Sequence, residues 1–416
     1  MKHNRSLPSY GGGDHRPLIA TPKRVCLLIG QLGLGGAEKQ VVLLARGLSE
    51  RGVRTSVLVM YTGGPREDEL RAAGVRVVHL DCPSLSSMPH PVSRSGTGLA
   101  RAVRAPGLAL RSVGAAALAA ESVRRIAVHL RRERPDVLHA FLFHGYAAAG
   151  PAALLARVPV LVAGRRGLSG REWERPGLRV LARIANRLTD HVVANADAVA
   201  DCARNVERIP AAKLATIYNG IPDSAFEPAA AAVLDTDAPV ILCVANLYWY
   251  KGHRHLIEAA ALLRERAAAC TLALVGDGPE RRHLEDRARE LALDVRFLGH
   301  RADVEMLLAR ADVCVLPSLT EGMSNAVMEA MAAGKPVVAT EVGGTGELLR
   351  GRGVLVPPGD PEALADGLAR VLGDPVLAAR LGAEARRWSR AHLSADAMVE
   401  RHVDLYGKLL AARCAG

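Results

Sequence analysis

At 416 residues with 49% hydrophobic side chains, the chain is long enough to bury two domain cores of ordinary size. The net charge is +11, but only 3% of residues are aromatic and none form a stacking platform among the basic residues, which disfavours nucleic acid as a partner. No apolar run reaches the ~18 residues of a membrane-spanning helix. The seven cysteines stand singly, a pattern typical of buried thiols in a reducing compartment rather than of a metal site.

The positive charge is concentrated in the first half of the chain. Residues 1–220 contain 32 Lys and Arg against 16 Asp and Glu, and no acid occurs between Asp81 and Glu121. Four arginines interrupt the apolar background of that acid-free stretch: Arg94, Arg101, Arg104 and Arg111. Two interpretations stay open, a basic segment that lies on an anionic membrane surface and an Arg-rich solvated helix or loop.

Short apolar, β-rich runs alternate with longer helical patterns, which predicts parallel sheets with helices on both faces, a doubly wound α/β architecture. The predicted strands of the first half are residues 25–30, 55–60, 75–80, 136–140, 158–163, 191–195 and 215–220. After a connector rich in Ala and Pro, the pattern restarts with residues 240–245, 271–276, 295–300, 312–317, 336–340 and 354–358.

The pattern therefore predicts two Rossmann-like domains that face a central cleft. Residues 1–23 are polar and rich in Gly and Pro, so we expect a disordered lead without a signal peptide. The first domain is predicted to span residues 24–221 and the second residues 222–393. A final helix, about residues 394–416, is expected to pack back on the first domain.

The segment LIGQLGLGGAEKQ joins the first predicted strand to a helix and contains Gly30, Gly33, Gly35 and Gly36. This spacing is not G-x-G-x-x-G, and no ribose-binding acid follows the second strand, so a dinucleotide is disfavoured. Two interpretations remain: a turn that offers backbone N–H groups to a phosphate or hydroxyl oxygen, and a turn that serves packing only.

The segment TEGMSNAVMEAM places Glu321 and Glu329 eight residues apart, directly after a predicted strand. It resembles the E-x7-E region of the retaining glycosyltransferases numbered family 4, which have the GT-B fold. The resemblance covers nearly the whole chain from about Arg24. Its other elements follow in family order: GLGGAEKQ, PDVLHAFLFHG, TIYNGI, VANLYWYKGH, VGDGPE and FLGHRADV.

The resemblance implies a donor site in the second domain. Glu321 would bond hydroxyls of the donor sugar, Glu329 would bond the ribose, and Lys251 would pair with the diphosphate. The remaining donor-binding positions implied are Gly322, Met323, Ser324, Asn325, Gly35 and Gly36, the first three through backbone N–H groups. Fixed cations and N–H donors at a departing diphosphate stabilise the transition state more than the ground state.

The sequence departs from the family pattern at two places. Asn246 stands where relatives usually have an Arg, so the diphosphate clamp is weaker or is completed by Arg254 or another base. Many relatives read H-A-H after the fourth strand, whereas here His139 is followed by Phe141 and then His144. We expect His144 to face the donor sugar as a catalytic residue, with His139 as the alternative inside the strand.

The segment RRGLSGREWERPG brings Arg165, Arg166 and Arg171 to the end of a first-domain strand. These arginines are candidates to meet an anionic acceptor, such as a phosphate-linked lipid carrier. The alternative is a solvated loop in which Trp173 is anchored in the surface.

The resemblance implies a retaining, metal-independent transfer of a sugar from a nucleotide sugar, by family frequency a UDP-sugar, to an acceptor hydroxyl. The basic first half favours a lipid-linked or polysaccharide acceptor in cell-envelope or exopolysaccharide synthesis, handled in the cytoplasm at the membrane face. No cofactor or metal is expected. The alternatives are a natural-product glycosyltransferase, a nucleotide-sugar epimerase, and a non-catalytic subunit that binds nucleotide sugar.

Overall fold

The computed structural model describes residues 21–83, 104–168, 176–266 and 268–415. Thirteen strands occur in this part of the chain, and each overlaps a predicted strand. They are β1 Arg24–Gln31, β2 Arg54–Thr62, β3 Arg76–His79, β4 Val137–Phe141, β5 Val160–Arg165, β6 His191–Ala194, β7 Leu214–Thr216, β8 Val240–Val244, β9 Thr271–Val275, β10 Val295–Gly299, β11 Val313–Leu316, β12 Val337–Thr340 and β13 Val354–Val356.

The strands form two separate parallel sheets. The first has the order β3-β2-β1-β4-β5-β6-β7 and the second the order β10-β9-β8-β11-β12-β13. The prediction of two doubly wound α/β domains is therefore confirmed. The strand order reverses between β1 and β4 and between β8 and β11, and ligands of open parallel sheets bind beyond the carboxyl ends of the strands at such points.

Helices cover both faces of each sheet in the described part of the chain. They are Gly36–Glu50, Glu67–Ala72, Arg104–Glu133, Leu142–Ala156, Pro176–Leu188, Asp197–Asn205, His253–Glu265, Arg281–Glu290, Val304–Arg310, Asn325–Ala332, Thr345–Leu349, Pro361–Gly373, Pro375–His392 and Ala395–Cys414. Because successive residues of a strand point to opposite faces, Leu27 of β1 packs in one layer and Leu28 in the other, and both are fully buried.

The last helix, Ala395–Cys414, returns to the first sheet. Val399 packs against the helix Gly36–Glu50 so closely that a Cβ on Gly47 would lie 2.5 Å from its Cγ2 atom. Tyr406 is fully buried in the same layer. The C-terminal segment therefore contributes to the first domain's core, although it follows the second domain in sequence.

Several sequence predictions concern residues outside the described ranges. These are Arg94, Arg101, Arg171, Trp173 and most of the predicted N-terminal lead. Arg104 and Arg111 belong to the helix Arg104–Glu133. In the ranges that are described, no helix is both long and apolar enough to cross a bilayer.

Candidate functional site

A cleft of about 730 Å³ lies between the two domains, beyond the carboxyl ends of their strands. Both domains contribute charged side chains to its walls. Lys39 and Arg166 come from the first domain, whereas Lys251, Glu321 and Glu329 come from the second. The cleft therefore combines cationic groups from both domains with the two glutamates of the E-x7-E segment.

Glu321 lies in the loop after β11 and is held by two donors. Its Oε1 atom accepts hydrogen bonds from Lys251 Nζ at 2.5 Å and from Ser318 Oγ at 2.7 Å. Lys251 ends a 3₁₀ turn, Trp249–Lys251, and the next residue, Gly252, has a φ of +71°. The lysine and the glutamate thus form a fixed pair at the cleft wall.

The glycine after Lys251 is required by its surroundings. A Cβ at Gly252 would lie 1.9 Å from the carbonyl oxygen of Pro317, at the end of β11. Only glycine combines a positive φ with this close approach of two backbones. Lys251 and Gly252 therefore lie next to the loop of residues 321–324, here called the glutamate loop.

Glu329 lies in the second turn of the helix Asn325–Ala332, as the spacing predicts. Its Oε1 atom accepts a hydrogen bond from Lys39 Nζ at 2.7 Å, and neither side chain is fully exposed. Lys39 belongs to the helix Gly36–Glu50 of the first domain. This ion pair therefore crosses the cleft, and the sequence analysis did not single out Lys39.

Asn325 is bonded to the first domain through both atoms of its amide. Its Nδ2 group donates to the Gly36 carbonyl oxygen at 2.9 Å. Its Oδ1 atom accepts from Gln40 Nε2 at 3.2 Å and from Asn219 Nδ2 at 3.0 Å. Because Asn325 is the first residue of the helix that carries Glu329, these bonds fix the start of that helix against the first domain.

The loop before the helix Asn325–Ala332 lies close to two other backbone segments, at Arg166 and at Gly344. A Cβ at Gly322 would lie 2.3 Å from the carbonyl oxygen of Arg166, across the cleft. On its other side, Gly344 N donates to the Gly322 carbonyl oxygen at 2.7 Å. This confinement fixes the position of the loop that begins with Glu321.

The backbone N–H groups of Gly322, Met323 and Ser324 point to an anion-binding role. All three residues line the cleft, and none of these N–H groups donates to an acceptor in the described part of the chain. They precede the helix Asn325–Ala332, which Ser324 caps by accepting from Val327 N at 3.4 Å. Free N–H groups at a helix N-terminus suit a phosphate or hydroxyl oxygen.

Two arginines are candidates to supply the charge that Asn246 lacks, Arg254 and Arg301. Asn246 itself lines the cleft, but Arg254 is exposed and does not belong to the cleft wall. Arg301, after β10, does line it, and two hydrogen bonds of 2.7 and 2.6 Å from its guanidinium hold it to Asp303. Arg301 is therefore the better placed of the two arginines to compensate for Asn246.

The adjacent arginines Arg165 and Arg166 have different surroundings. Arg165 is buried, forms a 3.0 Å ion pair with Glu207 and stacks over the ring of Tyr146. Arg166 lines the cleft and donates from Nη1 to Asn219 Oδ1 at 2.7 Å. Burial lowers the pKa of Arg166 to about 10. Arg165 therefore binds Glu207 inside the first domain, and of the two arginines only Arg166 lines the cleft.

Neither candidate histidine is among the described residues that line the cleft. His139 is fully buried in β4, where its Nδ1 atom lies 2.7 Å from the Tyr406 hydroxyl, and burial holds its pKa well below the usual value. His144 is exposed near the start of the helix Leu142–Ala156, edge-on to Tyr61. Leu142, two residues earlier, does line the cleft.

The described residues contain no group of three or more His, Cys, Asp or Glu side chains placed to hold a metal ion. The cationic side chains of the cleft wall include Lys251, Arg301, Arg166 and Lys39.

Comparisons with known proteins agree with this architecture. The family model described as Glycosyltransferase Family 4 matches residues 34–225, and that described as Glycosyl transferases group 1 matches residues 238–374. The glycogen synthase of Mycobacterium tuberculosis (strain ATCC 25618 / H37Rv) is 30% identical over 384 residues, which cover 85% of this chain and 86% of the relative.

The lipopolysaccharide core biosynthesis glycosyltransferase LpsE of Rhizobium meliloti (strain 1021) is 27% identical, over 89% of this chain and 95% of its own length. The crystal structure of Anabaena Alr3699/HepE in complex with UDP-glucose superposes with a TM-score of 0.73 at 20% identity, covering 94% of this chain and 99% of that chain. The chain therefore belongs to glycosyltransferase family 4, and it is a glycosyltransferase with the GT-B fold.

Proposed function

We propose that this glycosyltransferase transfers a sugar from a UDP-sugar to an acceptor hydroxyl, with retention of the anomeric configuration and without a metal ion. The observation that carries the proposal is the Lys251–Glu321 pair beside the free N–H groups of Gly322, Met323 and Ser324. This arrangement offers a cation, a carboxylate and backbone donors within one wall of the cleft.

The donor is bound mainly by the second domain. Glu329 accepts hydrogen bonds from the ribose through the carboxylate oxygen that Lys39 leaves free. Glu321 orients the sugar hydroxyls. Lys251 and the N–H groups of the glutamate loop meet the diphosphate, whose negative charge grows as the glycosidic bond breaks. Arg301 adds positive charge near the position that Asn246 leaves neutral.

The two glutamates do not act as an acid and base pair in this proposal. Oε1 of Glu321 already accepts bonds from Lys251 and Ser318, so this carboxylate is engaged as a binding group. The bond from the anomeric carbon to the phosphate oxygen breaks while the bond to the acceptor oxygen forms on the same face. The proton of the acceptor hydroxyl passes to the departing diphosphate.

The acceptor enters from the first-domain side of the cleft. Arg166 is retained as the arginine that meets an anionic acceptor, because it lines the cleft. Arg165 and His139 are given structural roles, since both are buried and bonded inside the first domain. His144 is kept as the residue that approaches the donor sugar, from a position two residues beyond Leu142.

The identities of the donor and the acceptor rest on similar proteins. HepE was crystallised with UDP-glucose, and LpsE is named for lipopolysaccharide core biosynthesis. Together with the basic first half of the chain, these names support a UDP-sugar and a lipid-linked or polysaccharide acceptor in the cell envelope. We place the reaction in the cytoplasm, at the membrane face.

The test is proton NMR of UDP-glucose and related donors incubated with lipid-linked and soluble acceptors, with and without EDTA. An α-linked product from an α-linked donor, formed at the same rate in EDTA, supports retention without a metal. A β-linked product or loss of turnover in EDTA contradicts that part. Conversion of the donor sugar without acceptor would indicate an epimerase, and binding without any turnover would indicate a non-catalytic subunit.

A further inference from the structure

The helix Pro176–Leu188 packs on the first domain with only one side. Ala182 and Ala185 are buried, and Leu188 lies against Gly150 of the neighbouring helix, where an added Cβ would be 3.1 Å away. Asn186 donates to Glu207 at 3.1 Å. These contacts identify the inner side of the helix and leave the rest of its circumference facing solvent.

An apolar stripe runs along the solvent side. Val180, Leu181 and Ile184 expose 55%, 39% and 46% of their surface. Residues 180 and 184 lie one turn apart on the same face, and residue 181 lies beside them. A cluster of large exposed aliphatic side chains on one helix indicates a surface that binds a membrane or another protein.

An arginine stripe lies next to the apolar one. Arg179, Arg183 and Arg187 follow each other at four-residue spacing, and the helix contains no acidic residue. Among the residues that the structure describes, none of these arginines forms a salt bridge. Within the described ranges, the helix therefore carries three arginines without an ion-pair partner beside its apolar stripe.

Two other surface helices pair several of their arginines with acids of the same helix. On the helix Arg281–Glu290, Arg281 pairs with Glu285 at 2.8 Å and Arg289 pairs with Asp286 at 2.8 Å. On the helix Pro375–His392, Arg387 pairs with Glu384 at 3.0 Å. The helix Pro176–Leu188 differs from both because its own sequence offers no acidic residue to its arginines.

We propose that the helix Pro176–Leu188 docks the first domain on an anionic phospholipid bilayer. The apolar stripe enters the boundary between headgroups and acyl chains, while the three arginines meet lipid phosphates. The helix begins eight residues after Leu168, which lines the cleft, so docking would hold the acceptor side of the cleft close to the membrane. In this respect the inference rests on the proposed function, because a lipid-linked acceptor gives the docking its purpose.

Co-sedimentation with vesicles, without any sugar donor, tests this inference. The vesicles are pure phosphatidylcholine or contain about 30 mol% phosphatidylglycerol, because an anionic surface attracts the arginines next to it. The full-length protein is expected to bind the anionic vesicles and to be released by high salt. The double variant Val180→Glu, Ile184→Glu and the triple variant Arg179→Gln, Arg183→Gln, Arg187→Gln are each expected to bind at least about tenfold more weakly.

Matched controls test whether vesicle binding depends on this helix rather than on the overall charge of the protein or on the acid-free segment between Asp81 and Glu121. Val376→Glu changes an aliphatic residue that is 79% exposed on the second domain, and Arg281→Gln with Arg289→Gln and Arg387→Gln removes the same charge there. Both controls, and the variant Arg101→Gln, Arg104→Gln, Arg111→Gln, are expected to bind like the wild type. Equal loss in the last variant would move the membrane contact to that segment and overturn the assignment.

Two further outcomes would also overturn the inference. The first is wild-type protein that binds no anionic vesicles, or helix variants that bind like the wild type. The second is a wild-type dimer in light scattering that Ile184→Glu dissociates, which would assign the stripe to a second copy of the chain. Donor binding measured on the same proteins distinguishes failure of this inference from failure of the proposed function. A wild type that binds the donor but binds no vesicles contradicts the docking proposal and leaves the proposed function intact.

Discussion

Lys39 and Glu329 form a 2.7 Å ion pair across the cleft, although 290 positions separate them in the sequence. Lys39 belongs to the first helix of the first domain, and Glu329 to the helix that follows the glutamate loop of the second. The carboxylate proposed to bind ribose is therefore oriented by the other domain. This pairing links the geometry of the donor site to the relative position of the two domains.

Lys39→Ala is expected to weaken donor binding by a factor of about 2 to 10, because a partly buried ion pair contributes on the order of 1 kcal/mol. The loss arises because Glu329 is no longer held toward the ribose position. Isothermal titration with the donor nucleotide measures the effect. Lys408→Ala, which removes an exposed lysine from the last helix, serves as the control. Unchanged affinity in Lys39→Ala would show that the ion pair has no part in donor binding.

Gly322→Ala is expected to separate the two domains. Its Cβ would lie 2.3 Å from the backbone oxygen of Arg166, a contact that no side-chain rotation can relieve. Small-angle scattering should show a larger radius of gyration, and turnover should fall at least about tenfold, because misplaced catalytic groups lose much of their effect. Gly373→Ala is the control, since nothing lies within 4 Å of its Cβ. Wild-type scattering and turnover in Gly322→Ala would contradict the close approach.

Asn325 and Asn219 are expected to act as a coupled pair. Each single change to Ala removes their mutual 3.0 Å bond and leaves partners unsatisfied, at about 0.5–1.5 kcal/mol per hydrogen bond. In a double-mutant cycle on kcat/KM, the combined loss should therefore be smaller than the sum of the single losses. Strict additivity would mean that the bond between the two amides does not contribute to the active arrangement.

Stability is expected to fall as the pH falls below about 6.5. Burial, reinforced by Arg166, lowers the pKa of His402 to about 3, and burial lowers that of His139 as well. The unfolded chain therefore binds more protons between pH 3 and 6.5, so stability rises with pH in this window and is lost on acidification. Lowering the pH from 7 to 5.5 therefore reduces the free energy of unfolding by about 1 kcal/mol for each such histidine.

Urea unfolding at pH 7 and pH 5.5 measures this loss. His402→Gln, which cannot titrate, should reduce the difference between the two pH values by about 1 kcal/mol. Replacing the exposed His283 by Gln should leave the difference unchanged. An equal pH effect in the wild type and in His402→Gln would show that His402 does not remain neutral on folding.

The fold was accessible from the sequence because its signals are local. Apolar runs bounded by turn residues predicted each strand, although β7 ends at Thr216, before the predicted end at residue 220. Glu321, Glu329 and Lys251 all line the cleft, because the segments that follow β8 and β11 carry them to the carboxyl ends of the strands. For these three residues, a position shortly after a strand in the sequence is enough to predict a position near the cleft.

What the sequence could not show depends on contacts between distant segments. No local pattern marked Lys39 as a partner of Glu329, and only the packing of the two domains brings the two side chains together. Arg165 ends β5 and Arg166 follows it directly, yet Arg165 pairs with Glu207 in the interior while Arg166 lines the cleft. His139 was ambiguous for a related reason, because its partner Tyr406 lies 267 positions away.

The central claim is that Lys251 and Glu329 hold a nucleotide diphosphate in the cleft. Isothermal titration of UDP, GDP and ADP into the wild type, Lys251→Ala, Glu329→Gln and Lys408→Ala tests it most directly. We predict that UDP binds the wild type and Lys408→Ala equally, and at least about tenfold more weakly to each of the other two variants, a difference of about 1.4 kcal/mol. UDP binding of equal strength in all four proteins, or no nucleotide binding to the wild type, would contradict the account.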